Sequence, residues 1–135
     1  MAIVNEINKL KITKRINTEI CRLIKSVRFE SGGIIGIDKN GTICEFQYDN
    51  PLSNNIYEYY PNTSFLNSII NESWAKKGIA FTGFVHSHPN NSDISPADIN
   101  YACKIIELNG MDSILIGIVN LSVKTEVIKW YIVSK

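Results

Sequence analysis

The apolar run 79–85 constrains the fold more than any other segment, because it ends abruptly in His86-Ser87-His88-Pro89. A short apolar run bounded in this way predicts a buried β-strand, and Pro89 ends it. Successive side chains of a strand point to opposite faces, so His86 and His88 share one face about two residue rises apart. The chain contains 2 histidines, and both lie here. Two imidazoles at this spacing can share one metal ion.

A second motif, Ser95-Pro96-Ala97-Asp98, follows the polar loop 90–94. Asp98 can return a carboxylate to the two histidines, and two imidazoles with one carboxylate are typical of a catalytic zinc site. The same motif is also an ordinary helix start, with Ser95 as N-cap, Pro96 at N1 and Asp98 at N3. Capping alone accounts for Ser95 and Asp98. It leaves unexplained why both histidines directly precede the cap.

The remaining segments predict an α/β fold with a central mixed β-sheet flanked by helices. Three stretches carry apolar residues at helical intervals, whereas Asn40-Gly41 between two apolar runs indicates a β-hairpin. In all, about seven strand segments and three helices are expected. Besides the strand that ends at the histidines, the predicted elements are a helix capped by Asn17 with a stripe from Ile20 to Val27, strands 32–37 and 42–48, an irregular or edge-like segment 51–61, a helix from Asn62 with a stripe from Phe65 to Trp74, a helix from Pro96 to about Leu108, and strands 113–120 and 124–133.

Length and composition indicate a single domain over residues 1–135. The net charge of +1 provides no basic surface, so a nucleic-acid partner is disfavoured. No apolar run approaches the ~20 residues of a membrane span, and the N-terminus lacks a signal-peptide core. We therefore expect a soluble, cytoplasmic protein without a membrane partner. Cys21, Cys44 and Cys103 form no Cys-x-x-Cys pair and predict buried, reduced thiols.

Glu30 stands just before the glycine-rich strand 32–37. Together with the His-x-His-Pro and Ser-x-x-Asp motifs, it resembles the pattern of the JAMM (JAB1/MPN/Mov34) metallopeptidases, most closely their short prokaryotic JAB-like branch. The resemblance covers the chain from about Thr18 to the C-terminus and implies a JAB1/MPN-like, cytidine deaminase-like architecture. One departure is that the family usually has one more residue between the motif proline, here Pro89, and the motif serine, here Ser95.

The resemblance implies a zinc-dependent metallopeptidase or isopeptidase that holds one Zn²⁺ per chain through His86, His88 and Asp98. Zinc in such a site activates water near pH 7 and polarises a carbonyl oxygen. Glu30 would act as general base and then as general acid toward the leaving amine. Ser95 would donate to the oxygen of the tetrahedral intermediate. Relatives cleave an amide bond at or near the C-terminus of a ubiquitin-like or sulfur-carrier protein, so such a tail is the expected substrate.

Three alternatives stay open. A non-haem iron oxygenase also uses two histidines and a carboxylate, but its histidines are usually far apart in the chain. A phosphoesterase that begins with His-x-His needs more histidines than this chain contains. A non-catalytic MPN-like binding or scaffold module is the main rival, although all five functional positions are filled here. Gly32, Gly33, Gly36 and Gly83 could admit a substrate backbone, or they could serve sheet packing.

Overall fold

The computed structural model describes residues 2–49 and 61–135, which form one six-stranded β-sheet covered by helices. The irregular or edge-like segment predicted for residues 51–61, with Tyr57, Tyr59 and Tyr60, lies outside the described residues except for Pro61. The elements are β1 (Ile3–Ile7), α1 (Lys14–Ile24), β2 (Gly32–Ile37), β3 (Ile43–Asp49), α2 (Thr63–Ser68) with a π-helical continuation (Ile69–Trp74), β4 (Ala80–His88), α3 (Pro96–Asn109), β5 (Ser113–Asn120) and β6 (Ile128–Ser134).

The strand order is β1-β6-β5-β4-β2-β3, and the sheet is mixed. Strands β4 and β5 run parallel, while the other neighbouring pairs are antiparallel. A parallel pair requires a crossover connection, and α3 supplies it. The β2–β3 hairpin turns through Gly41, whose φ of 79° favours glycine. The predicted α/β class with a central mixed sheet flanked by helices is confirmed.

Edge strand β1 is not among the predicted elements. It pairs with β6, from Ile3 opposite Ser134 to Ile7 opposite Trp130. Its residues are exposed or half-buried, so its sequence lacks the clear apolar alternation of a strand with one covered face. The described part of the chain holds six strands rather than about seven, and the final strand, predicted from Lys124, begins at Ile128.

The two faces of the sheet carry separate apolar clusters. Helix α1 packs on one face through Ile20 and Ile24, in the same cluster as Val85 of β4. Helices α2 and α3 cover the other face, where Phe84 of β4 lies in the second cluster. Because side chains alternate along a strand, the β4 residues that follow Phe84 at intervals of two point toward α3. The histidines therefore lie on the α3 face.

Helix α1 begins earlier than predicted. Thr13 is its N-cap rather than Asn17, and the Thr13 hydroxyl accepts a hydrogen bond from the Ile16 N–H at 3.2 Å. Asn17 lies inside the helix, where its side chain donates to the carbonyl of Glu126. Val27, the expected end of the apolar stripe, lies beyond the helix, and Ile16 is buried in the first turn instead.

The start of α2 agrees with the prediction, since the Asn62 side chain accepts from the Phe65 N–H. Its predicted apolar stripe is buried in part: Leu66 and Trp74 are buried, whereas Phe65 is exposed. Among the described helices, none combines the length and the apolar character that crossing a membrane requires.

The glycines of the central strands serve contacts within the sheet. A Cβ atom on Gly83 would collide with the carbonyl oxygen of Leu115, and one on Gly33 would collide with that of Gln47. A side chain at Gly36 would meet Ile79 and Trp74. The sheet's own packing therefore accounts for these three glycines without a substrate backbone.

Candidate metal centre

His86 and His88 lie at the C-terminal end of β4, on the face that α3 covers. Their side chains are only 11% and 12% exposed. The two imidazole rings are 4.8 Å apart between centroids and nearly perpendicular, at 87°. The strand ends where the His88 carbonyl accepts from the N–H of Leu121. The predicted pair of same-face histidines is therefore present, close together and largely shielded from water.

Asp98, in the first turn of α3, faces both histidines. Its Oδ1 lies 2.7 Å from Nε2 of His86, and its Oδ2 lies 3.3 Å from Nε2 of His88. One potential ligand atom from each of the three residues lies within 4.8 Å of the others. The structure thus brings together the three residues that the sequence indicated as ligands, despite the short loop 90–94.

The helix start holds the Asp98 carboxylate. The Ser95 hydroxyl accepts from the Asp98 N–H at 3.2 Å, and Asp98 Oδ2 accepts from the Ser95 N–H at 2.9 Å. This reciprocal pair is a capping box, with proline in the first turn as predicted. Asp98 is therefore a capping residue and a partner of the histidines at the same time. The two interpretations of the motif are compatible, because different lone pairs serve each role.

Charge in the cluster favours an ionised carboxylate. Burial opposes the charge of Asp98, but hydrogen bonds from His86 and His88 outweigh burial and hold the pKa of Asp98 well below its usual range. The hydrogen bond to Asp98 raises the pKa of His88 above its usual value, against the opposing effect of burial. Asn91 and the charge of Glu30 raise the His88 pKa further. The buried carboxylate of Asp98 is therefore kept ionised between the two imidazoles.

The donor atoms fit a divalent metal ion such as Zn²⁺. Two imidazole nitrogens and one carboxylate oxygen are common zinc ligands, and three protein ligands leave a position open in a tetrahedral site. The same donor types also suit non-haem iron, so the donor set alone does not identify the metal. Within the part of the chain that the structure describes, this is the group of side chains arranged to hold a metal, and it contains no cysteine.

Glu30 lies two residues before β2, near the end of β4. Gly32 lies opposite His86 in the antiparallel pair of β2 and β4, and the Ser87 N–H donates to the Ser31 carbonyl at 3.0 Å. Continuing this register places Glu30 opposite His88, and opposed residues share a face. The contribution of the Glu30 charge to the His88 pKa is consistent with that position. The register thus brings the backbone of Glu30 alongside that of His88.

Ser87, between the two histidines, is a residue that the sequence interpretation missed. Its hydroxyl accepts from the Ser31 N–H at 3.0 Å, and both serines are fully buried. The hydroxyl replaces a main-chain acceptor at the point where regular pairing of β2 and β4 ends. Ser87 therefore fixes the backbone next to Glu30 against the backbone of the histidines. The sequence signal for this role was a serine inside a strand that is predicted to be buried.

Comparison with known proteins addresses the fold. No protein-family model matches the chain, and no curated protein does either. A solution structure of protein DSY2949 from Desulfitobacterium hafniense is similar, with a TM-score of 0.61 and 16% identity over 89% of this chain and 80% of that one. AF2198, a JAB1/MPN domain protein from Archaeoglobus fulgidus, is similar with a TM-score of 0.51 and 18% identity over 81% of this chain and 78% of that one. The chain has a JAB1/MPN-like fold.

Within this JAB1/MPN-like fold, the cluster occupies the junction of a strand end and a helix start. His86 and His88 come from the C-terminal end of β4, and Asp98 comes from the N-terminal turn of α3.

The thiols are free: Cys21 is buried, whereas Cys44 and Cys103 are half-buried, so the prediction of buried thiols holds fully for Cys21 alone. Burial raises the pKa of the Cys21 thiol, which disfavours its reactive thiolate form.

Proposed function

We propose that this protein is a zinc-dependent metallopeptidase of the JAMM type. The observation that carries the proposal is the convergence of His86, His88 and Asp98 at the junction of β4 and α3. Glu30 precedes β2, the strand that pairs with β4 next to the histidines. A buried set of two imidazoles and a carboxylate, with a second acid next to it, is the arrangement needed for metal-assisted hydrolysis. A scaffold module on the same fold would have no use for all of these groups together.

His86, His88 and Asp98 would hold the zinc ion. The ion, when bound, supplies a Lewis acid that polarises a substrate carbonyl and makes water acidic near pH 7. The capping box contributes by fixing one oxygen of Asp98 with the Ser95 N–H, so that the carboxylate cannot rotate freely. Such support of a ligand is typical of functional metal sites.

Glu30 acts as the general base in this proposal. It takes a proton from the attacking water and returns it to the nitrogen of the scissile amide, because an amine is a poor leaving group unless it is protonated. The water oxygen bonds to the carbonyl carbon, and the carbon–nitrogen bond then breaks. The carboxylate is regenerated at the end of the cycle.

Ser95 stabilises the oxygen of the tetrahedral intermediate. Its hydroxyl oxygen accepts from the Asp98 N–H, which leaves the hydroxyl hydrogen available for donation. A hydroxyl group that is already held by the helix loses little further freedom when it donates to substrate. The capping role and the catalytic role therefore do not compete for the same atoms.

The proposed substrate is the extended C-terminal tail of a ubiquitin-like or sulfur-carrier protein, cleaved at an amide or isopeptide bond. The motif resemblance supports this choice, because the relatives with the same motifs act on such tails. The free cysteines suit a reducing compartment, and we propose the cytoplasm as the place of action.

Metal content tests the site. Protein purified with zinc supplied is expected to contain about one zinc ion per chain, since three ligands of the right type converge. His88→Ala should lose the metal. Elemental analysis of both proteins gives the result. Wild-type protein without stoichiometric metal would contradict the proposed site and favour a scaffold role.

Hydrolysis tests the enzyme. Glu30→Gln keeps the shape of the side chain but removes the proton acceptor, so cleavage of a ubiquitin-like protein fused through its tail to a reporter peptide should fall by roughly 10²–10⁴. Zinc content should stay unchanged. Glu19→Gln, which alters a carboxylate on the surface of α1, is the matched control. Loss of zinc in Glu30→Gln would instead make Glu30 a ligand.

A further inference from the structure

The loop 89–95 is attached to β6 rather than simply joining β4 to α3. The Tyr131 hydroxyl donates to the carbonyl of Ser92 at 2.8 Å. Ile94, just before the helix cap, packs against the apolar cluster that contains Tyr131. Lys129 lies 3.6 Å from Asp93, but Asp93 is 79% exposed, so that ion pair contributes little. The hydroxyl of Tyr131 is therefore the main polar attachment of the loop.

The attachment point lies well away from the strand where the loop begins. Tyr131 is opposite Ile116 of β5, and Ile116 is opposite Phe84 of β4, so these residues form one row across three strands. Neighbouring strands are about 4.8 Å apart, which separates β6 from β4 by roughly 10 Å. The loop leaves β4, reaches over to the β6 side, and returns to Ser95. Because the loop is short, this path leaves its backbone few alternative conformations.

Both ends of this loop carry candidate ligands. His88 precedes it, and Asp98 stands in the first helical turn after it. The deeply buried anchors of α3, Ala102 and Ile106, come one and two turns beyond Asp98. The first turn of α3 is thus held by the capping box, by Ile94 and Ile99, which pack on the same apolar cluster, and by the loop.

Asn91 also braces the loop. Its side-chain oxygen accepts from the Asp93 N–H at 3.0 Å, and its side chain lies beside His88. A fixed position of Ser92 therefore also limits where Asn91 can lie beside His88. Partners that orient the ring of a ligating histidine commonly affect metal affinity.

We propose that Tyr131 is a positioning residue for the metal site. By holding Ser92, its hydroxyl sets the path of the loop and so the placement of Asp98 relative to His88. The role rests on the proposed function, because it presupposes that these residues bind a metal. Tyr131 itself touches neither metal nor substrate in this role.

Cobalt(II) affinity tests the role without any substrate. Tyr131→Phe removes the hydroxyl and keeps the buried ring. We expect the dissociation constant for Co²⁺, measured by competition with a chelator, to rise about tenfold, with a changed ligand-field absorption spectrum. Tyr48→Phe is the matched control, since the buried Tyr48 hydroxyl has no hydrogen-bond partner among the described residues. Its affinity and spectrum should equal those of the wild type.

A second variant guards against a folding defect in Tyr131→Phe. Three glycines inserted between Asp93 and Ile94 keep the Tyr131–Ser92 bond but separate it from the helix start, and this longer loop should weaken Co²⁺ binding by a similar factor. Wild-type affinity and spectrum in both variants would overturn the role of Tyr131. Failure of the wild type to bind Co²⁺ would overturn the proposed metal site and this role together. Loss of binding in His88→Ala, with both loop variants unchanged, would overturn only the positioning role.

Discussion

The β2–β3 turn and the β4–α3 loop both use an aspartate to bind backbone N–H groups after a strand. In the turn, Asp38 Oδ1 accepts from the N–H of Asn40 at 2.8 Å and from that of Thr42 at 3.0 Å. In the loop, Asp98 Oδ2 accepts from the N–H of Ser95 at 2.9 Å. Locally the two aspartates do the same work, since each satisfies a backbone donor that regular structure leaves unpaired.

The difference lies in what else each carboxylate meets. The backbone partners of Asp38 are within four residues of it, and its side chain is only half-buried. Asp98 is buried and also faces His86 and His88, which belong to a different element. A purely structural cap has no need of such partners, because burying a charge is costly unless the charge is paired. The surplus contacts of Asp98, rather than its capping geometry, point to function.

The largest effect should come from removing the charge of each aspartate in turn. Asp98→Asn can still accept from the Ser95 N–H but offers a neutral amide oxygen in place of a carboxylate, so zinc affinity should fall by more than about 100-fold. Asp38→Asn makes the same chemical change in the turn and should leave zinc affinity unchanged. Competition titration of both variants gives the comparison. Equal affinity of Asp98→Asn and wild type would reduce Asp98 to a cap and remove the difference between the two regions.

A smaller effect is expected from the two N-cap hydroxyls. Thr13 and Ser95 each accept from the backbone N–H three residues later at 3.2 Å. Replacement of either by alanine should lower the free energy of unfolding by about 0.5–2 kcal/mol. Only Ser95→Ala should also lower turnover, by roughly 10²–10³, as expected when an oxyanion donor is removed. If both variants lose stability but keep turnover, Ser95 is a structural cap like Thr13.

Elements with a strong local pattern were predictable from the sequence. Strands β2 and β5 have the predicted bounds, and α3 extends one residue past the predicted end. Strand β1 and the cap of α1 were missed for physical reasons. An edge strand buries little, so its sequence carries little alternation. The first turn of α1 contains one buried residue, Ile16, between polar ones, so the apolar stripe became recognisable only later in the helix.

The candidate site likewise has one part that the sequence predicts and one part that it does not. The histidines and Asp98 were predictable, because strand alternation and helix capping are local rules that fix side-chain direction. The bond between Ser31 and Ser87 joins residues 56 positions apart, and the bond between Ser92 and Tyr131 joins residues 39 positions apart. Such pairs depend on strand order and register, which a single sequence does not specify. The candidate ligand set was therefore visible in advance, but its supporting contacts were not.

The smallest expected effect is the pH dependence of stability in the metal-free protein. The pKa of Asp98 is held below its usual 3.8 in the folded state, so this carboxylate contributes stability above that pH, and the contribution is lost as the pH falls further. The pKa of His88 is raised above its usual 6.5, so its contribution is present below that pH and is lost as the pH rises through the folded value. Stability from the cluster should therefore be greatest between about pH 4 and 6.5.

Urea unfolding of metal-free protein between pH 3 and 8 measures this window, since each pKa unit corresponds to about 1.4 kcal/mol. Asp98→Asn should flatten the profile at both ends, because the variant removes the carboxylate and with it the main cause of the raised His88 pKa. Asp38→Asn should keep the wild-type shape near its upper end, since Asp38 faces backbone N–H groups rather than a histidine. With zinc bound, stability should instead rise with pH at the upper end of this range. A ligating imidazole must be neutral, so zinc binding strengthens as protons leave. An unchanged profile in Asp98→Asn would mean that the carboxylate and His88 are not coupled, and that the two aspartates differ less than their surroundings indicate.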